Sequence, residues 1–229
     1  EIVYNNVKVI RFPAFEIIPN YPLPKFWSAN YWKAYNNLSD NRYDLIISRT
    51  RFFSTSILAL VYSKLNKIRW VHIEHGSDFI KLSSKFKTLV AKLYDLAFGK
   101  LIFRKSYLNI SISKAVQQFI YQFDKRTSPI IYRGIDMKQI DSILPNQRLK
   151  THYKDKIIIA WAGRLYRWKG VEESIKSILN LPDKLKNQIV FLIVGDGEDF
   201  KQLKNISKKP VMLLGQKSRN EVIGILKIA

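Results

Sequence analysis

Short apolar runs alternate with amphipathic helical patterns along most of the chain, and this alternation restricts the possible folds more than any other feature. Apolar residues dominate the runs YDLIIS (Tyr43–Ser48), RWVHI (Arg69–Ile73) and KIIIAWA (Lys156–Ala162). Such strands are typical of parallel sheets that are covered by helices on both faces. The sequence therefore predicts an α/β fold.

Two series of this kind are separated by Asn146–Asp155, which is polar and lacks periodicity. We expect two Rossmann-like, doubly wound domains, residues 1–145 and 156–229, joined by a linker over 146–155. Residues 11–41 are rich in proline and aromatic residues and are expected to be irregular, either as a lid or partner contact or as an apolar plug over a sheet edge.

Composition excludes several classes of site. The chain has no cysteine, which rules out disulfides, thiolate metal sites and a cysteine nucleophile. Its three histidines argue against a histidine-rich metal cluster, so we expect no metal and no cofactor. The net charge of +21 indicates a polyanionic partner, such as nucleic acid, an anionic membrane or a phosphate-bearing substrate, or else a lysine-rich solvated surface.

The segment Gly163–Gly170 (GRLYRWKG) leaves an apolar run and enters a helical pattern. Gly163 permits a sharp turn, Arg164 offers a planar cationic fork, and Lys169 places a charge beside the start of the helix, where free N–H groups already favour anions. This combination suits a diphosphate, whereas the order of a P-loop is absent. The alternative is a solvated basic loop.

Two further glycine turns follow apolar runs. Gly195-Asp196-Gly197-Glu198 is a weak signal, because such glycines often only turn the chain. Gly215, Gln216 and Lys217 follow the next run and could line a nucleobase pocket, although by themselves they indicate only a turn, with Ser218 as a helix N-cap.

His75 follows the strand Arg69–Ile73, at the edge where ligands bind in doubly wound sheets. A histidine there could bond a sugar hydroxyl or phosphate, or exchange protons near neutral pH. The alternative is a turn histidine that bonds local backbone. His72 lies within the strand, where a structural role is expected.

Several segments in order along the chain resemble retaining glycosyltransferases of family 4, which have the GT-B fold. The segments AWAGRLYRWKG, FLIVGDGEDFKQL and VMLLGQKSRNEVIGILKIA resemble the second domain of that family, and YDLIISRT, HIEHGSD, ISISKAV and YRGID resemble its first. The resemblance runs from about Tyr43 to the last residue, and the ordered set is more specific than any single motif.

The resemblance implies an enzyme that moves a hexosyl group from a nucleotide-diphosphate sugar to a glycan or lipid-linked acceptor, with retention of configuration, in bacterial surface glycan synthesis. It implies that Arg164 and Lys169 hold the donor diphosphate in a cleft between the domains. It further implies that His75 lies beside the transferred sugar, and that Gly215–Lys217 lies near the base.

Two family features have no counterpart in the sequence: the N-terminal glycine-rich turn, and the E-x7-E segment that is expected after Ala229. We therefore expect an internal fragment in which both domains are incomplete and which is inactive alone.

A basic segment, Leu82–Lys105, gives the charge a candidate role. Its predicted helix, Leu82–Phe98, carries an apolar stripe, for which packing on the sheet is favoured, whereas Phe98–Lys105 is favoured for contact with anionic lipid. We expect a cytoplasmic protein that can lie on the inner face of the membrane. The alternative function is a non-catalytic basic module that binds anionic membrane or nucleic acid, although no short nucleic-acid signature is present.

Overall fold

The computed structural model describes residues 2–4, 7–18, 21–80 and 85–229. The chain divides into two compact units, Glu1–Gly134 and Ile135–Ala229. Each unit is built around a three-stranded parallel sheet, so the predicted α/β class is confirmed.

The first unit contains the sheet of order β5-β6-β7 and two antiparallel pairs, β1-β2 and β3-β4. Its elements are β1 (Ile2–Tyr4), β2 (Val7–Val9), β3 (Ala14–Ile18), β4 (Tyr21–Pro24), α1 (Ala29–Ser39), β5 (Leu45–Arg49), α2 (Ser54–Asn66), β6 (Arg69–Glu74), α3 (Lys85–Tyr94), a π-helical turn (Asp95–Gly99), α4 (Lys100–Lys105), β7 (Leu108–Ser111) and α5 (Lys114–Phe123).

The predicted cap of α5 is confirmed, since the Ser113 side chain accepts a hydrogen bond from the Val116 N–H. This helix buries Val116, Phe119, Ile120 and Phe123 in one apolar cluster. The stripe has helical spacing, so sequence pattern and packing agree here.

The prediction that residues 11–41 are irregular is wrong, because they form the β3-β4 pair and α1. Pro22 and Pro24 lie in β4, which pairs on one side only, so the absent N–H groups of the two prolines leave that pairing intact. The ring of Tyr31 is buried, with its centroid 5.2 Å from Phe12 and 5.4 Å from Trp32. Tyr31 is thus the buried member of an aromatic cluster in which Phe26 and Trp32 stay exposed.

For the helical run that ends at Lys105, the expectation that its apolar stripe packs on the sheet is wrong, whereas contact of Phe98–Lys105 with anionic lipid stays a prediction. Lys81 and Leu82 lie outside the described residues, and α3 begins at Lys85. The stripe expected to pack on the sheet is exposed, whereas Ile102 and Phe103 in α4 are completely buried. The reason is that α4 packs between α2 and α5, so the terminal end of the run supplies the core contacts.

The second unit has the sheet order β10-β9-β8. Its elements are α6 (Met137–Asp141), α7 (Gln147–His152), β8 (Ile157–Ala162), a 3-10 turn (Arg167–Lys169), α8 (Val171–Leu179), α9 (Asp183–Lys186), β9 (Ile189–Val194), α10 (Phe200–Ile206), β10 (Val211–Gly215) and α11 (Arg219–Leu226).

Strand β9 is central and buried throughout. Because side chains alternate between the faces of a strand, Phe191 and Ile193 join one apolar cluster, while Val190, Leu192 and Val194 join another on the opposite face. This is the double-sided burial that the apolar run indicated.

Residues 146–155, for which we predicted a linker, contain the helix α7. Leu149 and Tyr153 pack against the cluster that contains Leu192, and the Asn146 N–H donates to the Gly224 carbonyl over 2.9 Å. The boundary between the compact units lies after Gly134. Two apolar side chains four residues apart are enough to attach this polar segment to the second unit.

Within the described residues, no helix combines the length and the hydropathy that crossing a bilayer requires.

The packing of α7 gives a testable prediction. Leu149→Ala removes a partly buried side chain and should lower the free energy of opening of β9 by about 1–2 kcal/mol, measured by hydrogen exchange of the β9 amides. Lys150→Ala, at an exposed neighbouring position, is the matched control and should have no effect. Equal effects of the two changes would show that α7 is an unattached linker.

Candidate functional site

In the second unit, the turns that follow the three parallel strands are joined by backbone hydrogen bonds. The Gly163 N–H donates to the Val194 carbonyl over 3.0 Å, and the Gly195 N–H donates to the Gly215 carbonyl over 2.9 Å. The carboxyl ends of β8, β9 and β10 therefore form one continuous edge, and Gly163 and Gly215 both belong to it.

Two glycines allow the β9 turn to lie directly on the β8 turn. A Cβ on Gly195, whose φ is 145°, would lie 1.8 Å from the Gly163 oxygen, and a Cβ on Gly197 would lie 2.4 Å from the Leu165 oxygen. Both separations are far below any real contact, so only glycine fits at either position. The Gly195-Asp196-Gly197 segment, a weak signal in the sequence, thus supports the β8 turn.

Leu165 attaches the turn after β8 to the core of the second unit. Its side chain is completely buried in the core of the second unit, its N–H donates to the Asp196 carbonyl over 3.0 Å, and its carbonyl accepts from the Asp199 N–H over 3.1 Å. With Leu165 fixed in this way, the neighbouring Arg164 is left exposed at the edge of the sheet.

The two predicted phosphate-binding cations lie on this turn and are both exposed. Among the residues that the structure describes, the Arg164 side chain makes no hydrogen bond or ion pair. Lys169 ends a 3-10 turn and places its Nζ 4.2 Å from the centroid of the Trp168 ring. Gly170 then takes a left-handed conformation, and α8 begins at Val171. Both cations and the start of α8 are therefore available to an anion.

The third turn also has the predicted local structure. Gly215 has a φ of 70°, and Gln216 is exposed. Ser218 caps α11 through a capping box with Glu221, as predicted from the sequence. The Nζ of Lys217 lies 3.7 Å from a carboxylate oxygen of Glu221, so this third cation is partly neutralised.

In the first unit, His75 follows β6 at the carboxyl edge, as predicted, and is partly buried. Its Nε2 accepts hydrogen bonds from the guanidinium of Arg49, with Nε at 3.3 Å and Nη2 at 3.2 Å. Burial, and then the positive charge of Arg49, lower the pKa of His75 from its ordinary value near 6.5. The imidazole is therefore held neutral near pH 7, with its proton on Nδ1.

Beneath His75 lies a buried ion-pair network that sequence reasoning missed. A carboxylate oxygen of Glu74 accepts from the backbone N–H groups of His75, over 2.8 Å, and of Gly76, over 2.6 Å. The Nη1 of Arg51 lies 3.1 Å from Oε1 of Glu74, and its Nε lies 2.9 Å from Oδ1 of Asp95. All three side chains are buried. The signal in the sequence was an acidic residue at the end of a strand whose Trp70, Val71 and Ile73 predict burial.

A chain of hydrogen bonds approaches Glu74 from the strand interior. Trp70 Nε1 donates to the Ser48 hydroxyl, which contacts His72 Nδ1 over 2.8 Å, and His72 Nε2 lies 3.3 Å from Glu74. The structural role expected for His72 is consistent with this position. Burial alone would raise the pKa of Glu74, but the hydrogen bond from His72 and the charge of Arg51 lower it to about 2.

The pKa of Asp95 is shifted in the opposite direction to that of Glu74. Burial raises the pKa of Asp95 above its ordinary value, and the hydrogen bond from Arg51 offsets this only in part. Glu74 is thus the carboxylate whose charge the fold stabilises, and it holds the backbone that carries His75.

Two family models match the chain. Residues 2–139 match the model described as Glycosyltransferase Family 4, and residues 145–229 match the one described as Glycosyl transferases group 1. An uncharacterized glycosyltransferase of Methanocaldococcus jannaschii is 45% identical over 211 residues, which are 90% of this chain and 54% of that protein. The chain therefore spans about half the length of the curated relative it matches.

Several solved structures share the fold. HepE of Anabaena, in complex with UDP and glucose, is 20% identical with a TM-score of 0.59, over 84% of this chain and 52% of that one. Sucrose-phosphate synthase of Thermosynechococcus elongatus is 17% identical with a TM-score of 0.60, over 86% and 51%. WaaG, a glycosyltransferase of lipopolysaccharide biosynthesis, is 14% identical with a TM-score of 0.58, over 97% and 61%. These matches confirm the predicted two-domain Rossmann-like fold.

The network under His75 predicts a pH-dependent loss of stability. Glu74→Gln should lower the free energy of unfolding by about 3 kcal/mol near neutral pH, because it leaves the buried charge of Arg51 partly uncompensated. Since folding lowers the pKa of Glu74 to about 2, its contribution is present above its ordinary pKa near 4.5 and is lost as the pH falls from there toward 2.

Urea denaturation at pH values from neutral down toward 2 measures the difference in free energy of unfolding between the wild type and Glu74→Gln. Asp44→Asn, at an exposed carboxylate of the same unit, is the control and should leave stability unchanged. A gap between wild type and Glu74→Gln that stays constant down to acidic pH would contradict the role of the Glu74 charge.

Proposed function

The chain belongs to Glycosyltransferase Family 4, whose model covers more than half of it, and from this premise we propose that it contributes to transferring a sugar from a nucleotide-diphosphate sugar to an acceptor hydroxyl. The observation that carries the proposal is the Gly163–Gly170 turn. It presents Arg164, which has no hydrogen bond or ion pair with any residue that the structure describes, and Lys169 beside the start of a helix, at the edge where doubly wound sheets bind ligands.

In this proposal, Arg164 and Lys169 bind the two phosphates of the donor. A guanidinium can hold phosphate oxygens with two parallel hydrogen bonds, and the amino end of α8 adds the attraction of its free N–H groups. As the glycosidic bond breaks, negative charge grows on the leaving diphosphate, and these fixed positive groups stabilise it. The complex of HepE with UDP and glucose supports a uridine nucleotide as the first donor to test.

We assign His75 a place beside the transferred sugar, where its Nδ1–H donates to a hydroxyl or phosphate oxygen. Burial and then the charge of Arg49 lower the pKa of His75 and so favour the neutral imidazole, and with Nε2 accepting from Arg49 the Nδ1–H is the donor at this position. Gly215, Gln216 and Lys217 lie on the turn that Gly195 joins to Gly163, and we place the nucleobase there. Hexosyl transfer, retention of configuration, independence of metal ions and a role in surface glycan synthesis are parts of the same proposal.

In the first unit, which we propose binds the acceptor, α3 carries an exposed apolar surface. Phe86 is 73% exposed and Leu93 is 56% exposed, and Leu89, Val90 and Leu96 continue the same stripe. These side chains recur at helical spacing, so they form one face of the helix. Three exposed lysines belong to the same helical run: Lys85 and Lys92 flank this face on one side, and Lys100 lies beyond its end.

An apolar face bordered by cations fits an anionic membrane surface. Apolar side chains enter the boundary between headgroups and acyl chains, and each nearby cation contributes about 1 kcal/mol of attraction to anionic lipid. We therefore move the proposed membrane contact from Phe98–Lys105 to α3. The side chain of Arg104, at the other end, donates to the Phe123 carbonyl over 2.9 Å and so helps to hold the fold. A lipid-linked acceptor would be reached from such a position.

Donor binding is tested by thermal denaturation with UDP. We expect UDP to stabilise the protein by about 2.7 kcal/mol at a hundred times its Kd. Arg164→Ala should weaken UDP binding at least about tenfold, because a charge-assisted contact to the diphosphate is lost. Arg148→Ala, at an exposed position of α7, should leave binding unchanged.

The result also separates the two classes of function. UDP binding that depends on Arg164 supports the glycosyltransferase. Binding to lipid or oligonucleotides without any response to nucleotides would support the non-catalytic basic module instead.

Membrane contact is tested by flotation with vesicles that contain anionic lipid. The double variant Phe86→Ser and Leu93→Ser should lose flotation, because apolar contact area on α3 is removed. Leu65→Ser, at an equally exposed leucine of α2, is the matched control and should float as the wild type does. Unchanged flotation of the double variant, combined with a loss in Lys100→Glu and Lys105→Glu, would return the contact to the end of the helical run.

A further inference from the structure

Two arginines flank His75 at the carboxyl edge of the first sheet. Because the sheet order is β5-β6-β7, His75 after β6 lies between the end of β5, where Arg49 stands, and the end of β7. Ile130 pairs with Ser111 at the end of β7, and the Ile131 N–H donates to the Ser111 carbonyl over 2.9 Å. This segment leads directly to Arg133, which thus approaches the same edge from the other side.

The carboxylates near this edge already have partners. Glu74 bonds to Arg51 and to the backbone of His75 and Gly76, Asp95 bonds to Arg51, and Asp78 accepts from the Phe79 N–H over 2.7 Å. Arg49 and Arg133 are exposed and form no ion pair with a described residue. The edge therefore presents two guanidinium groups that no acidic side chain of the described chain neutralises.

We propose that Arg49, His75 and Arg133 form a binding site for a phosphate group, and that this phosphate belongs to the acceptor. Two guanidinium groups and an imidazole N–H supply donors from three directions, which matches the several oxygens of a tetrahedral anion. The identification of the acceptor as the source rests on the proposed function, whereas binding of a phosphate at this site does not.

The titration of His75 reports on such a site. Burial and the charges of Arg49, Arg133 and His72 lower the pKa of His75, and the charge of Glu74 raises it. An anion held between the two arginines would offset their charges and favour the imidazolium ion, whose proton could then contact the anion. Binding of a phosphate should therefore raise the pKa of His75, and by linkage the anion should bind more tightly to the protonated form.

The experiment follows the imidazole signals of the chain by NMR as a function of pH, with His75→Gln used to assign the signal among the three histidines. Sulfate is the first probe, because its charge is constant near neutral pH, and sodium chloride at equal ionic strength corrects for screening. We expect sulfate to raise the pKa of His75 by about one unit, which corresponds to a tenfold preference for the protonated form.

The double variant Arg49→Gln and Arg133→Gln should remove this response, while Arg42→Gln, at an exposed arginine just before β5, should retain it. The signal of His72, buried against Trp70 and Phe103, reports that the variants keep their fold. The proposal would be overturned if sulfate and chloride shifted the pKa of His75 equally, or if the shift with sulfate persisted in the double variant.

Two further probes distinguish the sources of the phosphate. Glycerol phosphate represents a phosphate-bearing acceptor, and UDP represents the donor. If the site serves the acceptor, glycerol phosphate should raise the pKa of His75 in the wild type and in Arg164→Ala alike. If UDP but not glycerol phosphate raises the pKa of His75, and this rise disappears in Arg164→Ala, the assignment to the acceptor is overturned. Failure of UDP to bind at all would count against the donor proposal and leave the sulfate result standing.

Discussion

The second unit depends on a contact for which only a glycine leaves room. The oxygen of Gly163 occupies the place where a side chain on Gly195 would begin, 1.8 Å from its Cβ position. This close approach lets the turn after β9 support the turn after β8, and hydrogen bonds extend the arrangement to Gly215. With Leu165 buried beneath it, the cationic turn has a fixed base, so Arg164 can remain exposed for a ligand.

The first unit fixes its edge by a different physical means. Its turn after β6 is held by the charged carboxylate of Glu74, which accepts two backbone N–H groups while Arg51 joins it to Asp95. Burying these ions is costly, so the network is weak evidence of added stability, but it fixes the position of the turn through the two backbone N–H groups that Glu74 accepts. It directs His75 outward, where Arg49 determines which ring nitrogen carries the proton.

Local patterns predicted the parts of this structure that depend on neighbouring residues. The apolar runs became parallel strands, and Ser113 and Ser218 cap helices as expected. Burial and ion pairs that depend on residues far apart in the sequence could not be predicted from local patterns. The face of α3 is exposed because α4 supplies the packing, and Arg51 meets Glu74 only after β5 and β6 pair. The turn glycines were visible, but the overlap that makes Gly195 essential was not.

We propose the turn from Gly163 to Gly170 as the binding site for the diphosphate of a nucleotide. This proposal is tested most directly by recording the backbone amide NMR spectrum of the chain while UDP is added. We expect the amides of Gly163–Gly170 and Gly215–Lys217 to shift together and to saturate, while those of α7 stay unchanged. Saturable shifts confined to other parts of the chain, with the amides of Gly163–Gly170 unmoved, would contradict it.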